Sequence, residues 1–232
     1  MISLVELVDA EGTPVGSATV EKAHQAPGLR HRAFSVFVRD QSGRVLLQQR
    51  AAVKTRFPLR WGNTCCGHPA PGEALEVAAA RRLFEELGIQ GVPLTELGVY
   101  SYYAEDPTTG RIEYEYDHVL VGEVSADLAV LPDPDEVADV RWISLDDLRA
   151  ALADDPRSYA PWLVGVTAVL ASSSLPSPSL PSLSLPSPSA PVRSAPLPSP
   201  PSPSPPSRSA PSRSAPSPSP PSSDGAERSG GG

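Results

Sequence analysis

The last 62 residues of the chain set the first limit on what it can fold into. From Ala171 onward, 18 of 62 positions are proline and 22 are serine. Such a stretch lacks the apolar surface needed to offset the entropy of ordering it. Residues 172–232 are therefore expected to form a disordered, Pro/Ser-rich tail with extended polyproline character. The tail carries a loose repeat, Arg193-Ser-Ala-Pro196, Arg208-Ser-Ala-Pro211 and Arg213-Ser-Ala-Pro216. Folding is left to residues 1–171, which suffice for one domain with a sizeable core.

Charge and cysteine usage narrow the function classes. The chain has 19 Lys and Arg against 27 Asp and Glu; four arginines and two acids lie in the tail, which leaves 15 against 25 and a net charge of -10 before it. That balance argues against general nucleic-acid or anionic-membrane binding. No apolar run approaches the roughly 18 residues of a spanning helix. The opening residues Met1 to Asp9 hold early acids and no basic stretch, so no signal peptide is expected. Cys65 and Cys66 are the chain's two cysteines, and neighbours are poorly placed to bridge each other. A secreted disulfide scaffold is excluded, and a monomer in a reducing cytoplasm is expected.

The apolar pattern of residues 1–171 mixes strands and helices. Ile2–Val8, Ala33–Arg39, Arg44–Gln49, Gly62–Cys66, Val99–Ala104, Arg111–Val121 and Val137–Ile143 read as strands. Asp40-Gln-Ser-Gly43 and Asp106-Pro-Thr-Thr-Gly110 read as hairpin turns. The clearest helix is Ala74–Leu87, where Leu75, Ala79, Leu83 and Leu87 share one face and Gly88 stops it. Ser144 caps a second helix over Leu145–Leu152, and Pro161–Leu170 reads as a third. Paired strands with few crossovers and three helices predict an α+β sandwich with a mixed sheet.

Two local patterns carry chemistry on geometry alone. Glu113 and Glu115 sit two apart on a strand, so both carboxylates face one way, with Asp117 a further step along. Cys65 and Cys66 are successive, so only one of them reaches a given pocket.

From Gly67 the chain runs five residues to Glu73, seven more to Arg81, then Arg82-Leu83-Phe84-Glu85-Glu86-Leu87-Gly88-Ile89. This resembles the Nudix box, in which a loop and helix line up carboxylates around a divalent cation on a diphosphate. One position departs, because the box has Glu where this chain has Arg82. The same residues could be i,i+4 ion pairs on a solvated helix, Arg81 with Glu85 and Arg82 with Glu86.

Trp61-Gly-Asn-Thr-Cys-Cys-Gly-His-Pro69 stands at the mouth of the box. Together with Arg82, it resembles the type 1 isopentenyl-diphosphate Δ-isomerases, a branch of the Nudix fold. Further pieces agree, among them Glu21-Lys22-Ala-His24, Leu29-Arg30-His31, Gln49-Arg50-Ala-Ala-Val-Lys54, Tyr102-Tyr103-Ala-Glu-Asp-Pro107 and Ala160-Pro161-Trp162. The resemblance spans roughly residues 1–170. It implies a Nudix-like α/β/α sandwich and a metal-dependent 1,3 proton shift that interconverts isopentenyl and dimethylallyl diphosphate.

The resemblance also assigns residues. It implies His24, His31, His68, Glu113 and Glu115 as ligands of a first divalent metal, Mn²⁺ or Zn²⁺, and Glu86 as a holder of Mg²⁺ on the diphosphate. Lys22, Arg50, Lys54 and Arg82 become counter-charges to the diphosphate. Cys66 becomes the base, Glu115 assisted by Tyr103 the acid, and Trp162 the ring that faces the carbocation, with Trp61 walling the pocket. His118 reads as structural. A Nudix pyrophosphohydrolase, or an interaction protein working through its Pro-rich tail, stands as the alternative.

Overall fold

The computed structural model describes residues 3–125 and 127–173, and the tail expected from its composition falls outside them, apart from Ser172 and Ser173. The elements run β1 (Leu4–Val8), β2 (Pro14–Thr19), α1 (Val20–Ala23), β3 (His31–Asp40), β4 (Val45–Arg50), β5 (Trp61–Gly62) and β6 (Cys65–Gly67). They continue α2 (Leu75–Leu87), β7 (Leu94–Glu105), β8 (Ile112–Val124), β9 (Val137–Ile143), α3 (Leu145–Asp154) and α4 (Leu163–Ser172). The strands form one mixed sheet centred on β3. β3 pairs in parallel with β8 from His31↔Glu115 to Asp40↔Val124, and antiparallel with β6 through Ser35↔Cys66. β7 and β8 form a long antiparallel hairpin, and β4 pairs with β9.

Alternation along β3 explains why helices cover both faces. Phe34, Val36 and Val38 pack with Leu75, Ala79, Leu83 and Leu87 of α2 and with Cys65. Phe37 on the other face packs with Val119, Leu148, Trp162, Leu163 and Val166, beneath α3 and α4. The result is the expected α+β sandwich, helix on sheet on helix. Leu83 is fully buried, and replacing it with Ala should cost about 2–5 kcal/mol.

Two glycines of the box are structural requirements. A Cβ on Gly67 would stand 2.8 Å from Phe34 Cζ and 3.2 Å from Arg82 Cγ, so only glycine lets the strand run under α2. Gly88 takes φ 68°, and as the left-handed cap of α2 it closes the helix on Leu83 and Phe84 carbonyls.

The strand expected over Gly62–Cys66 is two strands. Asn63 and Thr64 turn inward between them and bond neighbouring strands through their side chains, Asn63 to Val36 O and Thr64 to Leu46 O. β2 and the single-turn α1 have no apolar periodicity and were not expected. β2 exists because it pairs with β1.

Candidate active site

β8 presents Glu113, Glu115 and Asp117 to one face of the sheet, all three buried. His31 opens β3 directly beside Glu115 in the register. His24 ends α1 and His68 follows β6. One ligand atom from each of His24, His31, His68, Glu113 and Glu115 lies within 4.8 Å of the others. His68 Nε2 is 2.9 Å from Glu115 Oε1, and His24 Nε2 is 2.9 Å from Glu113 Oε2.

The donor set fits a divalent cation. His24 Nδ1 stands 2.6 Å from the Val20 carbonyl and His31 Nδ1 2.7 Å from the Leu29 carbonyl. Carbonyls only accept, so both Nδ1 atoms carry the proton and neutral rings turn an Nε2 lone pair into the cluster. His24 Nε2, His31 Nε2 and Glu113 Oε2 are buried there without a hydrogen-bond partner, despite the short His24–Glu113 approach. Lone pairs facing lone pairs call for positive charge between them. The titration of the cluster agrees. Burial opposes it, yet Glu115 and Glu113 still raise His31 above its ordinary value. Burial also opposes ionisation of Glu115, yet His31 and His68 hold it well below the usual carboxylate range. Burial takes His68 the other way, down to about 4, so it stays a neutral ligand.

Next to this cluster lies a cavity of about 710 Å³, lined by Cys66, Tyr102, Glu115 and Trp162 among others. Cys66 faces it, whereas Cys65 is fully buried under α2. Cys66 Sγ donates to Asn63 Oδ1 at 3.1 Å and stands 3.7 Å from Ser35 Oγ. Burial, with Asp117 adding to it, pushes the Cys66 thiol up to about 12, against the pull of Arg50. Tyr102 Oη donates to Glu115 Oε2 at 2.7 Å. Burial and the neighbouring carboxylates of Glu115, Glu113 and Asp117 keep Tyr102 protonated. Trp162 is buried, with Phe57 edge-on at 5.6 Å and the Arg50 guanidinium 5.6 Å from its ring centre.

The same cavity is rich in cations. Arg50, Lys54, Arg56, Arg81 and Arg82 line it in a chain that is otherwise acidic. Arg82 reaches Glu85 at 2.8 Å, Glu86 at 2.5 Å and Glu136 at 3.2 Å, and Lys54 also pairs with Glu136. Glu86 is buried, accepts from Gln48 Nε2 at 2.8 Å, and lies outside the five-ligand cluster. Burial raises its carboxyl, with Arg82 pulling the other way.

The NUDIX domain family matches residues 29–163. An isopentenyl-diphosphate Delta-isomerase of Nocardia farcinica is 58% identical over 165 residues, covering 71% of this chain and 93% of that protein. The chain belongs to this isomerase family. A Streptomyces coelicolor relative of the same name is 49% identical over 163 residues, covering 70% of this chain and 81% of its own. Among solved structures, the Deinococcus radiodurans protein DR0079 superposes with a TM-score of 0.57 at 19% identity, covering 72% of this chain and 99% of its own, which speaks to the fold.

Against that isomerase background, three expectations need correction. Tyr103 is 54% exposed and packs edge-on against Tyr114; the tyrosine on Glu115 is Tyr102. Neighbours on a strand face opposite ways, so a shift of one residue changes the assignment. Lys22 is exposed and does not line the cavity; Val20, two residues earlier, does. Trp61 lies under the Arg141 guanidinium, 4.1 Å from its ring centre, beside a separate small hollow. His118 bonds Glu96 at 2.6 Å, away from the cluster. Sequence reasoning missed Arg56, which bonds Glu113 Oε1 at 2.7 Å, and Glu136, which joins Lys54 to Arg82. It also missed Asn63 and Ser35, whose side chains are hydrogen-bond partners of Cys66 Sγ. Among the described residues no helix is long and apolar enough to cross a membrane.

Proposed function

We propose that the protein interconverts isopentenyl diphosphate and dimethylallyl diphosphate in the cytoplasm. The observation that carries this reading is one cavity shared by Cys66, the Tyr102–Glu115 pair and the Trp162 ring, beside a wall of cations. A 1,3 proton shift across an unactivated alkene needs a proton donor, a proton acceptor and a way to tolerate positive charge between the two steps. Glu115 delivers a proton to the terminal methylene from the oxygen it shares with Tyr102. Cys66 Sγ, as thiolate, removes a proton from C2. The tertiary cation formed between these steps faces the Trp162 ring, worth about 2 kcal/mol when desolvated.

The proton count supports reversibility. At rest Cys66 holds its proton and Glu115 is ionised, which suits the dimethylallyl direction. Moving that one proton from Cys66 to Glu115 gives the pair that attacks isopentenyl diphosphate. Glu115 is buried and Cys66 half-buried, so substrate filling the cavity would complete the exclusion of water, which would quench the cation.

Arg50, Lys54 and Arg82 hold the diphosphate in this reading, and Arg56 orients Glu113. A Mn²⁺ or Zn²⁺ ion on His24, His31, His68, Glu113 and Glu115 would supply the positive charge that orders Glu115, and Mg²⁺ held with Glu86 would neutralise the diphosphate. Arg82 stands where the Nudix box has Glu, so a cation replaces one carboxylate of this helix, which disfavours the pyrophosphohydrolase alternative. Incubating the protein with isopentenyl diphosphate and Mg²⁺ should yield dimethylallyl diphosphate. Inorganic phosphate release without isomer would refute the reading.

A further inference from the structure

Asn63 is fully buried between β5 and β6 and touches two groups that the proposed chemistry needs. Its Nδ2 donates to Cys65 O at 2.8 Å and Val36 O at 3.1 Å. Carbonyl oxygens only accept, so this end of the amide must be the NH₂, and the orientation of the side chain follows from its surroundings. Oδ1 then faces the cavity side. It accepts from Cys66 Sγ at 3.1 Å and from Trp162 Nε1 at 3.0 Å. Both donors and both lone pairs of the amide are used.

The other neighbour of the thiol, Ser35, is the more distant acceptor. Ser35 Oγ donates its own hydrogen to Asp117 Oδ2 at 2.8 Å, and its distance to Cys66 Sγ is 3.7 Å. That hydroxyl keeps a lone pair for the thiol, but Asn63 Oδ1 at 3.1 Å is the nearer acceptor, so the thiol hydrogen is drawn to Asn63 and a sulfur lone pair is left for the cavity. Nor does Asn63 serve mainly to dock α4. The backbone bond from Ala160 N to Trp61 O, 2.8 Å, already ties the approach to that helix to β5.

We infer that Asn63 is a positioning residue: its Oδ1 sets the Cys66 sulfur and the Trp162 ring at a fixed spacing around the reacting carbons. This rests on the roles given to Cys66 and Trp162 above. A single oxygen shared by the base and the cation-facing ring makes their geometry one quantity, so loss of that oxygen disturbs both proton removal and cation stabilisation. Asn63 hydrogen-bonds none of Arg50, Lys54 and Arg82, so diphosphate binding should be spared.

The test uses the full chain and Asn63→Ser, whose hydroxyl is too short to span both partners. In the parent protein, the infrared S–H stretch that disappears in Cys66→Ala should lie at the lower frequency of a hydrogen-bonded thiol. Asn63→Ser should return it toward the unbonded position. The same variant should lower kcat by roughly tenfold to a hundredfold, the scale of a misplaced reacting group, with KM for isopentenyl diphosphate within about threefold. An unbonded S–H band in the parent protein overturns the inference, and that reading holds even where Asn63→Ser does not fold. A folded Asn63→Ser with unchanged kcat also overturns it. Full turnover in Cys66→Ala would instead strike the base assignment, while the band of the parent protein still judges the Asn63 contact.

Discussion

The Tyr102 hydroxyl lies 2.7 Å from Glu115 Oε2, while the adjacent Tyr103 ring turns away to meet Tyr114. The two tyrosines differ by one position on β7 and therefore by a whole face of the sheet. Tyr102→Phe removes the partner of the proposed acid and should lower kcat by roughly 10²–10⁴, the usual contribution of a positioned proton donor or acceptor. Tyr103→Phe should stay within about threefold of the parent. Steady-state kinetics on both variants decides this, and the reverse ranking would return the role to Tyr103.

The histidine cluster predicts linked loss of metal and activity. Replacing His24, His31 or His68 with Ala removes one of the five converging donors. Each variant should bind less transition metal by elemental analysis and turn over more slowly. Full metal content in the triple variant would show that the ion sits elsewhere.

Burial also makes a prediction about pH. The Cys66 thiol is pushed up to about 12, so its folded-state value exceeds the ordinary thiol range and the group is neutral throughout physiological pH. Alkylation of metal-free protein by a neutral haloacetamide should be slow at about pH 8. It should climb about tenfold per pH unit, without levelling, to about pH 10.5, because only the thiolate reacts. The sign for stability follows from the same rise. The unfolded chain loses this proton first, so the contribution is present below the unfolded value and fades as pH climbs toward the folded one. A plateau in Cys66 labelling near pH 8.5, with peptide mapping to separate Cys65, would contradict the burial argument.

Much of this was legible in the residues because the physics was local. α2 shows itself through Leu75, Ala79, Leu83 and Leu87 on one face and through the left-handed stop at Gly88. β9 has the bounds its apolar pattern gives, Val137–Ile143. The Glu113 and Glu115 spacing places both carboxylates on the face that meets His31 and His68. What escaped depends on pairing across distance. β2, Pro14-Val-Gly-Ser-Ala-Thr19, has no strand pattern of its own and is held by β1. Which of Tyr102 and Tyr103 faces inward is set by the register Tyr102↔Glu115, a quantity no local pattern contains. Arg56 and Glu136 sit in irregular segments, where no periodicity marks a side chain that reaches back to the site.

The Pro/Ser segment yields a separate expectation. Every group assigned a role here lies at or before Trp162, and α4 ends at Ser172. A chain ending after Ser173 should melt within a few degrees of the full chain and keep its turnover. Activity under a tenth of the parent, with the fold intact by circular dichroism, would assign the segment a part in catalysis.

The proposed reaction adds a proton at one carbon from a solvent-exchanging acid and removes a proton at another. Its most direct test is turnover of isopentenyl diphosphate in D₂O, read by NMR of the product. Dimethylallyl diphosphate should carry deuterium in a methyl group, in the parent and in Cys65→Ala, and turnover should fall by roughly 10²–10⁴ in Cys66→Ala. Product formed without deuterium in that methyl group, or undiminished turnover in Cys66→Ala, would contradict it.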